Sequence, residues 1–376
     1  MLADQLGIRL VLQVGKTVPL PAPADVVDAI TLVEVTNDTE QGDGFQITFT
    51  LGKDQAGNYG VLDGGALDPP NRVVIGVAIG AVPEVLIDGI IAHHQLVPSN
   101  EPGMSTLTVT GRDLREVLDL EERNEQYGNQ PDSVIFTRLI EAYGQYGLVP
   151  QPTPTTDVPI EFERIPRQYE TDLEFIQRMA ERNGFVFYIE PVTFGVNRAY
   201  FGPETRAGIP QPALTVNMDA FSNVNTLSFS HDALAPTGAE GSILDPIRKT
   251  ITKTSIPLPS LPSLRIPPLA AKPTPARRKV IVRCAANKNR AQASTTAAAA
   301  TSAPEPIKGE GGLDTLRYGS VLRARRPVGV RGAGHSYDGD YYVRKVTHVI
   351  TSGVSYTQQF TISREGTGEL LPVVRP

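Results

Sequence analysis

Five histidines, one cysteine and scattered carboxylates are the side chains with the types to do chemistry. His93 and His94 are neighbours in the β-branched run "EVLIDGIIAHHQL". Successive strand residues point to opposite faces, so these two rings do not converge on one metal ion. His335 and His348 bracket Asp338 and Asp340, a set with metal-ligand types, but His348 alternates with apolar neighbours and reads as a half-buried strand residue. The turns "GDG" at 42–44, "DGG" at 63–65 and "DGD" at 338–340 lack the regular oxygen offsets and closing bidentate Glu of a calcium loop. Glu161, Glu163, Glu170, Asp172 and Glu174 form an acidic cluster, and paired carboxylates could cleave a glycan. Asp172 and Glu174, however, fall in the first turn of an expected helix, where negative charge is stabilised by about 0.3–1 kcal/mol.

Cys284 follows "KVIVR" in an expected strand with no base beside it, which reads as a structural thiol rather than a nucleophile. A single cysteine leaves no internal disulfide and no cysteine-rich metal site, and it fits synthesis in the cytoplasm. "VRGAGHSYDG" has Gly332 and Gly334 without the third glycine or following helix of a dinucleotide fingerprint. No G-x-S-x-G, H-E-x-x-H or P-loop pattern occurs. The expectation is a chain with no catalytic, cofactor-binding or metal residue, and not an enzyme.

The residues that position these groups are more informative than the groups themselves. At 376 residues the chain is long enough for two or three domains, and 40% apolar with 20% charged residues suits a globular protein. No apolar run reaches the ~18–20 residues of a membrane span, and the start lacks a basic leader. Residues 241–376 hold 21 Lys and Arg against 8 Asp and Glu, leaving 14 against 33 in residues 1–240. This asymmetry fits either two surfaces that meet different partners or a solvated bias. Basic residues dispersed among Pro and Ala do not make a nucleic-acid footprint.

Residues 1–110 read as short antiparallel strands of a barrel or curled sheet: "AITLVEVTND", "GFQITFTLG", "RVVIGVAIG", "EVLIDGIIAHHQL" and "STLTVTG". Residues 111–200 read as an α/β insert. Helical spacing is expected through "GRDLREVLDLEERNEQYGNQPDSVIFTRLIEAYGQYG", with Asp113 or Asp132/Ser133 as caps and Gly144 or Gly147 as a stop. Thr171 with Glu174 is a capping box, Leu173, Ile176, Met179 and Ala180 form one apolar stripe, and Gly184 takes the left-handed end position before the strand "FVFYIE". Residues 201–240 and 313–367 return to strands, including "YYVRKVTHVI" and "SYTQQFTISR" joined as a hairpin through "TSG". Between them, 241–312 is a Pro/Ala-rich excursion with extended chain at 255–276 and a possible short helix. The fold class is therefore mainly β with an α/β insert, and two flanking β regions raise the possibility of a duplicated barrel.

"FERIPRQYETDLEFIQRMAERNGFVFYIE" resembles a segment of the hub proteins of contractile injection systems, found in the VgrG family and the phage late control gene D family. The matching residues are Gln168, Tyr169, Glu170, Thr171, Asp172, Phe175, Ile176, Gly184 and Tyr188. "DGIIAHHQL…TLTVTGRDLREVLD" and the tail from "DTLRYGSVL" to "TISREG" resemble the same family in the same order. The resemblance implies a homotrimeric baseplate hub: two barrel-like domains per chain forming a ring of six, seated between a hexameric inner tube and a trimeric spike, with baseplate wedge proteins around it. It implies a structural component of a virion or injection particle, with edge strands paired between subunits. VgrG chains usually continue into a spike, so a separate spike chain is expected here. The rival readings are a tip-associated cell-wall hydrolase and a standalone glycan- or peptide-binding module.

Overall fold

The computed structural model describes residues 7–54, 57–80, 82–159, 165–206, 208–232, 237–244, 250–256, 264, 278–282 and 305–365. They are mainly β. The first region holds β1 (Ile8–Gly15), β2 (Leu20–Pro21), β3 (Ile30–Asp38), β4 (Gly44–Leu51), β5 (Arg72–Ile79), β6 (Val82–Val97) and β7 (Ser105–Asp113). The insert holds β8 (Glu122–Gln126), a helix Asp132–Glu141, β9 (Leu148–Pro152), β10 (Arg167–Thr171), a helix Asp172–Asn183, β11 (Val186–Thr193) and β12 (Val196–Gly202). The last region holds β13 (Gln211–Thr215), β14 (Val224–His231), β15 (Thr237–Leu244), β16 (Ile251–Ile256), β17 (Arg278–Val282), β18 (Ile307–Asp314), β19 (Pro327–Arg331), β20 (Gly339–Thr351) and β21 (Ser355–Arg364).

Both outer regions belong to one sheet, with strands in the order β14-β18-β21-β20-β3-β4-β7-β6-β5-β1-β2. The seam between the regions is the antiparallel β20–β3 ladder, which runs from Lys345 opposite Asp38 to Thr351 opposite Leu32. Alternation drives each strand to one register. In β4, Phe45, Ile47, Phe49 and Leu51 are buried while Gln46, Thr48 and Thr50 face out, and a slip by one residue would invert the set.

The two regions repeat one topology. In the first, β3-β4-β7-β6 are neighbours, with β5 and then β1 continuing from the early part of β6. In the second, β14-β18-β21-β20 are neighbours, with β19 and then β13 continuing from the early part of β20. The ladders align rung for rung. Thr110 faces His93 and Gln46 in the first half; Thr361 faces Lys345 and Glu310 in the second. Bulges coincide as well. Ala92 is skipped between β6 and β7, as Arg344 is between β20 and β21. Thr31 is skipped between β3 and β4, as Asn225 is between β14 and β18. A matched bulge is a matched bend in the sheet. The halves differ in their first link. A short turn over 39–43 joins β3 to β4, whereas residues 232–306 join β14 to β18, and within them β15, β16 and β17 form a small sheet of their own. Most of the expected extended segment and all of the alanine-rich stretch before 305 lie outside the described residues.

Three apolar cores follow this organisation. Val35, Ile47, Phe49, Val73, Leu107 and Val109 centre the first. Tyr127, Phe136, Phe175, Ile176, Met179 and Phe201 centre the insert, with Ile90 of β6 packed into it. Leu214, Leu313, Val328, Val330, Val343 and Phe360 centre the last.

The insert corrects part of the helical reading. Gly111 to Asp113 stay in the β7 ladder, and Leu114–Leu118 form only a 3-10 turn, capped by Asp113 through the Arg115 N–H at 2.9 Å. Glu122–Gln126 is a strand, because it pairs residue by residue with Arg167–Thr171. The Asp132–Glu141 helix starts after Pro131 with no side-chain cap: Asp132 is instead bound by Arg182 and Asn183, and Gly147 rather than Gly144 takes the left-handed conformation (φ 69°). The second helix matches its sequence signals. Thr171 and Glu174 close both arms of the capping box, and Gly184 has φ 67° while the Phe185 N–H reaches the Ala180 carbonyl at 2.8 Å.

Candidate functional site

Among the described residues the side chains with chemical potential do not converge. His93 lies opposite Thr110 and His94 opposite Val109, on the two faces of the sheet. His348 is fully buried rather than half-buried, and its Nδ1 lies 2.9 Å from the Tyr356 hydroxyl. Asp340 is eight residues back along the same strand, roughly 26 Å away at a strand's rise. His335 is exposed in a loop, and Asp338 accepts the Ala333 N–H at 2.7 Å. Among the described residues no group of three His, Cys, Asp or Glu could hold a metal ion. Gly42, Gly65 and Gly339 all have positive φ, as turn residues do. Cys284, Glu161 and Glu163 lie outside the described residues.

The remaining acidic residues are structural. Asp172 is buried and accepts from Gln168 at 2.7 Å and Tyr143 at 2.8 Å, with Arg123 at 3.3 Å. Glu170 pairs with Arg178, and Glu174 completes the cap. A hydrolytic pair would need two carboxylates facing one cleft; Asp172 faces Gln168, Tyr143 and Arg123, Glu170 faces Arg178, and Glu174 faces the Thr171 N–H.

Arginines join the three regions, and sequence reasoning missed them because their partners are distant in the chain. Arg72 of β5 is buried and grips Asp88 through two hydrogen bonds of 2.7 and 2.6 Å; its remaining donors reach the carbonyls of Thr17 and, in the insert, Tyr146. Asn197 of β12 donates to the same Asp88 at 2.8 Å. Arg325 of the last region reaches into the 39–43 turn, binding Asp43 at 2.8 and 3.1 Å and the Asp38 carbonyl at 2.8 Å, and it stacks on the Tyr188 ring of the insert at 4.8 Å. Burial pushes the Tyr188 hydroxyl up to about 12. Bidentate arginine–carboxylate pairs fix orientation as well as distance. The three regions are thus held in one arrangement.

What this arrangement presents is a broad polar sheet face. Along β3, β4 and β7 the outward residues include Glu34, Thr36, Gln46, Thr48, Thr108 and Thr110. Across the seam the same rows continue through Lys345 and Thr347, Gln359 and Thr361, Glu310, then Thr226 and Ser228. Its polar groups are largely self-satisfied. Thr36 and Thr347 hydroxyls meet at 3.1 Å, Gln46 donates to Glu34 at 3.3 Å, and Lys345 lies 3.5 Å from Asp38. Two hollows open on this face, of about 570 and 710 Å³, and Thr347 lines both. The face carries neither an apolar patch nor a run of one charge sign.

No family model matches the sequence, and no curated protein matches it. Solved structures do. A tail protein from Neisseria meningitidis aligns with 96% of this chain and 97% of its own at 13% identity and a TM-score of 0.64. A 43 kDa tail protein of prophage MuSo2 from Shewanella oneidensis aligns with 95% of this chain and 98% of its own at 14% identity and a TM-score of 0.61. An E. coli component of the type VI secretion system, described as structurally similar to the T4 bacteriophage tail proteins gp27 and gp5, aligns with 92% of this chain and 77% of its own at 13% identity and a TM-score of 0.56. The chain therefore has the fold of phage tail proteins and their type VI secretion counterparts.

Proposed function

We propose that this protein is a structural baseplate hub of a phage tail or contractile injection system: a homotrimer that adapts a hexameric inner tube to a trimeric spike. One observation carries the reading. Each chain holds two four-stranded units with one topology, one set of bulges and one outward face, joined side by side in a single sheet. Three such chains offer six similar units, which is what a six-membered tube requires of a three-membered platform. The fold shared with tail proteins supports the same reading, as does the resemblance of the "RQYETDLEF" segment to hub families.

In this role each unit is barrel-like, the sheet face lines a central passage, and the insert braces it from outside. The chain is made in the cytoplasm and ends in the assembled particle; no described helix is long and apolar enough to cross a membrane. A spike and baseplate wedge proteins contact the ring, and no reaction is catalysed. Mixing the purified protein with the inner-tube protein of the same particle tests this in negative-stain electron microscopy. Rings capping one end of tube segments are expected. A monomer that leaves tube protein unaltered would overturn the hub reading.

A further inference from the structure

One group of buried charges has no counterpart in the duplication. Arg344 stands at the β20 bulge, where the first half has exposed Ala92 and makes the same bend without a charge. Around Arg344 lie Glu204 and Arg206, from the stretch that leaves the insert after β12, Glu305 just before β18, and Glu365 just after β21. Arg344 meets Glu204 at 2.6 Å and Glu305 at 2.9 Å. Arg206 meets Glu305 at 2.5 Å and Glu365 at 3.4 Å. Both guanidiniums lie over the Tyr342 ring, at 4.8 and 5.9 Å from its centre. None of the five charged side chains is more than 17% exposed. Burying five charges is costly, and the bend does not need them. Their task lies in what they join. They tie the exit of the insert to the end of β21 and to the root of the stretch 232–306, which the Asp232 N–H closes by donating to the Pro306 carbonyl at 2.7 Å, next to Glu305.

The charges do not balance. Three carboxylates face two guanidiniums, and among the described residues no neighbour makes up the difference. On its open side the group borders a hollow of about 390 Å³. There Lys345 is held by Asp38 at 3.5 Å, and exposed Lys308 is outnumbered by exposed Glu40 and Asp232. Tyr342 adds no charge, because burial pushes its hydroxyl well above the ordinary value. Hydrogen bonding is incomplete as well: the Arg206 Nε has no acceptor among the described residues. A surplus negative charge in a buried site is removed by taking up one proton.

We propose that these five residues form a proton-controlled clasp: it closes by taking one proton from solvent, shared among Glu204, Glu305 and Glu365, and it loosens the root of 232–306 from the insert when that proton leaves. A proton shared by coupled carboxylates belongs to the group rather than to one member. Glu305 lies deepest, and its burial outweighs the two arginines and raises its pKa above the ordinary carboxylate value of 4.5. A carboxyl with a raised folded-state pKa holds its proton more tightly when folded. The clasp is therefore at full strength below about pH 4.5 and weakens as pH rises through the folded-state value. All five residues belong to one chain, so the clasp does not depend on the hub reading.

Glu305→Gln in the full-length protein tests it, because the variant keeps the side chain's shape and leaves two carboxylates against two guanidiniums. Thermal unfolding of both proteins is compared from about pH 5 to about pH 8, where other titrating groups cancel in the difference. The midpoint of the variant is expected to rise relative to wild type as pH rises. Hydrogen exchange, corrected for its intrinsic pH dependence, should show the Asp232 N–H losing protection with rising pH in wild type and not in the variant. An infrared difference spectrum at neutral pH, wild type minus variant, should contain the carbonyl stretch of a protonated carboxylic acid. Glu365→Gln removes the same surplus from the rim of the group, where the side chain is 11% exposed, and should abolish the same pH dependence even if Glu305→Gln does not fold. A constant offset between wild type and either variant across the range, with no carboxylic-acid band, would mean three ionised carboxylates and would overturn the clasp.

Discussion

The two β regions share strand order, bulges and outward polarity, yet fill their interiors in opposite ways. In the first, β4 supplies the bulk and β7 the gap. Phe45 lies opposite Gly111, where an added Cβ would run into the Phe45 ring and the Ile90 carbonyl oxygen. In the second, the counterpart of β4 is the glycine-rich β18, and its neighbours supply the bulk. Ile362 lies opposite Gly309 and Phe360 opposite Gly311, and a Cβ at either glycine would meet those side chains. At the Phe45–Gly111 rung and its counterpart, Gly309–Ile362, the large residue changes sides. Polar interiors differ as well. Where the first half has the exposed bulge residue Ala92, the second has Arg344, tied to Glu204 at 2.6 Å and Glu305 at 2.9 Å. Where the first has Leu96, the second has buried His348. The common element is therefore the shape and outward face of the sheet, and the cores are two separate solutions to supporting it.

The largest test of this contrast is Arg344→Ala. It takes one of the two arginines from buried Glu305, leaving Arg206, removes the 2.6 Å partner of Glu204, and should cost about 3 kcal/mol by chemical denaturation. Ala92→Ser at the equivalent bulge should change stability by less than about 0.5 kcal/mol. Equal effects would mean that the halves do not differ as described. Gly111→Val forces a side chain against backbone and the Phe45 ring, and a loss near the upper end of about 1–3 kcal/mol is expected in thermal unfolding. A neutral result would contradict the packing assigned to the β4–β7 rung. Thr171→Ala removes one arm of the capping box and the hydrogen bond to Asp119 at 2.7 Å; a loss of about 0.5–2 kcal/mol should appear in the insert's helix by hydrogen exchange, with both β regions unaffected.

The smallest effect at neutral pH, growing in acid, belongs to His348. Burial, reinforced by the Arg323 charge, holds its pKa down to about 3, against ~6.5 when unfolded. Between these values the unfolded chain binds the extra proton. Stability is therefore full above pH 6.5 and falls as pH drops toward 3, by about 1.4 kcal/mol per pH unit from this group. His348→Leu copies Leu96 of the first half and should flatten that part of the pH–stability curve, at a neutral-pH cost of about 1 kcal/mol for the lost Tyr356 partner. An unchanged slope would place the titration elsewhere.

Much of the local structure was legible in the sequence because its causes are local. Alternation marked β4, β7, β20 and β21, and Thr171, Glu174 and Gly184 marked one helix from cap to stop. The segment 111–126 was misread because Leu114, Val117 and Leu118 do form an apolar cluster, but the ladder to β10, far along the chain, decides the conformation of Glu122–Gln126. The duplication was legible only as two β regions, since bulk that crosses from one strand to its neighbour leaves no repeated residues. The arginine clamps left no signal: Arg325 and Asp43 are 282 residues apart.

The account depends on two equivalent units per chain arranged around one axis. Cryo-electron microscopy of the assembled protein, viewed down that axis, tests this most directly. Six lobes of similar size in a ring with true threefold symmetry are predicted, the insert marking three of the six. Projections with any other number of lobes, or with no central opening, would contradict it.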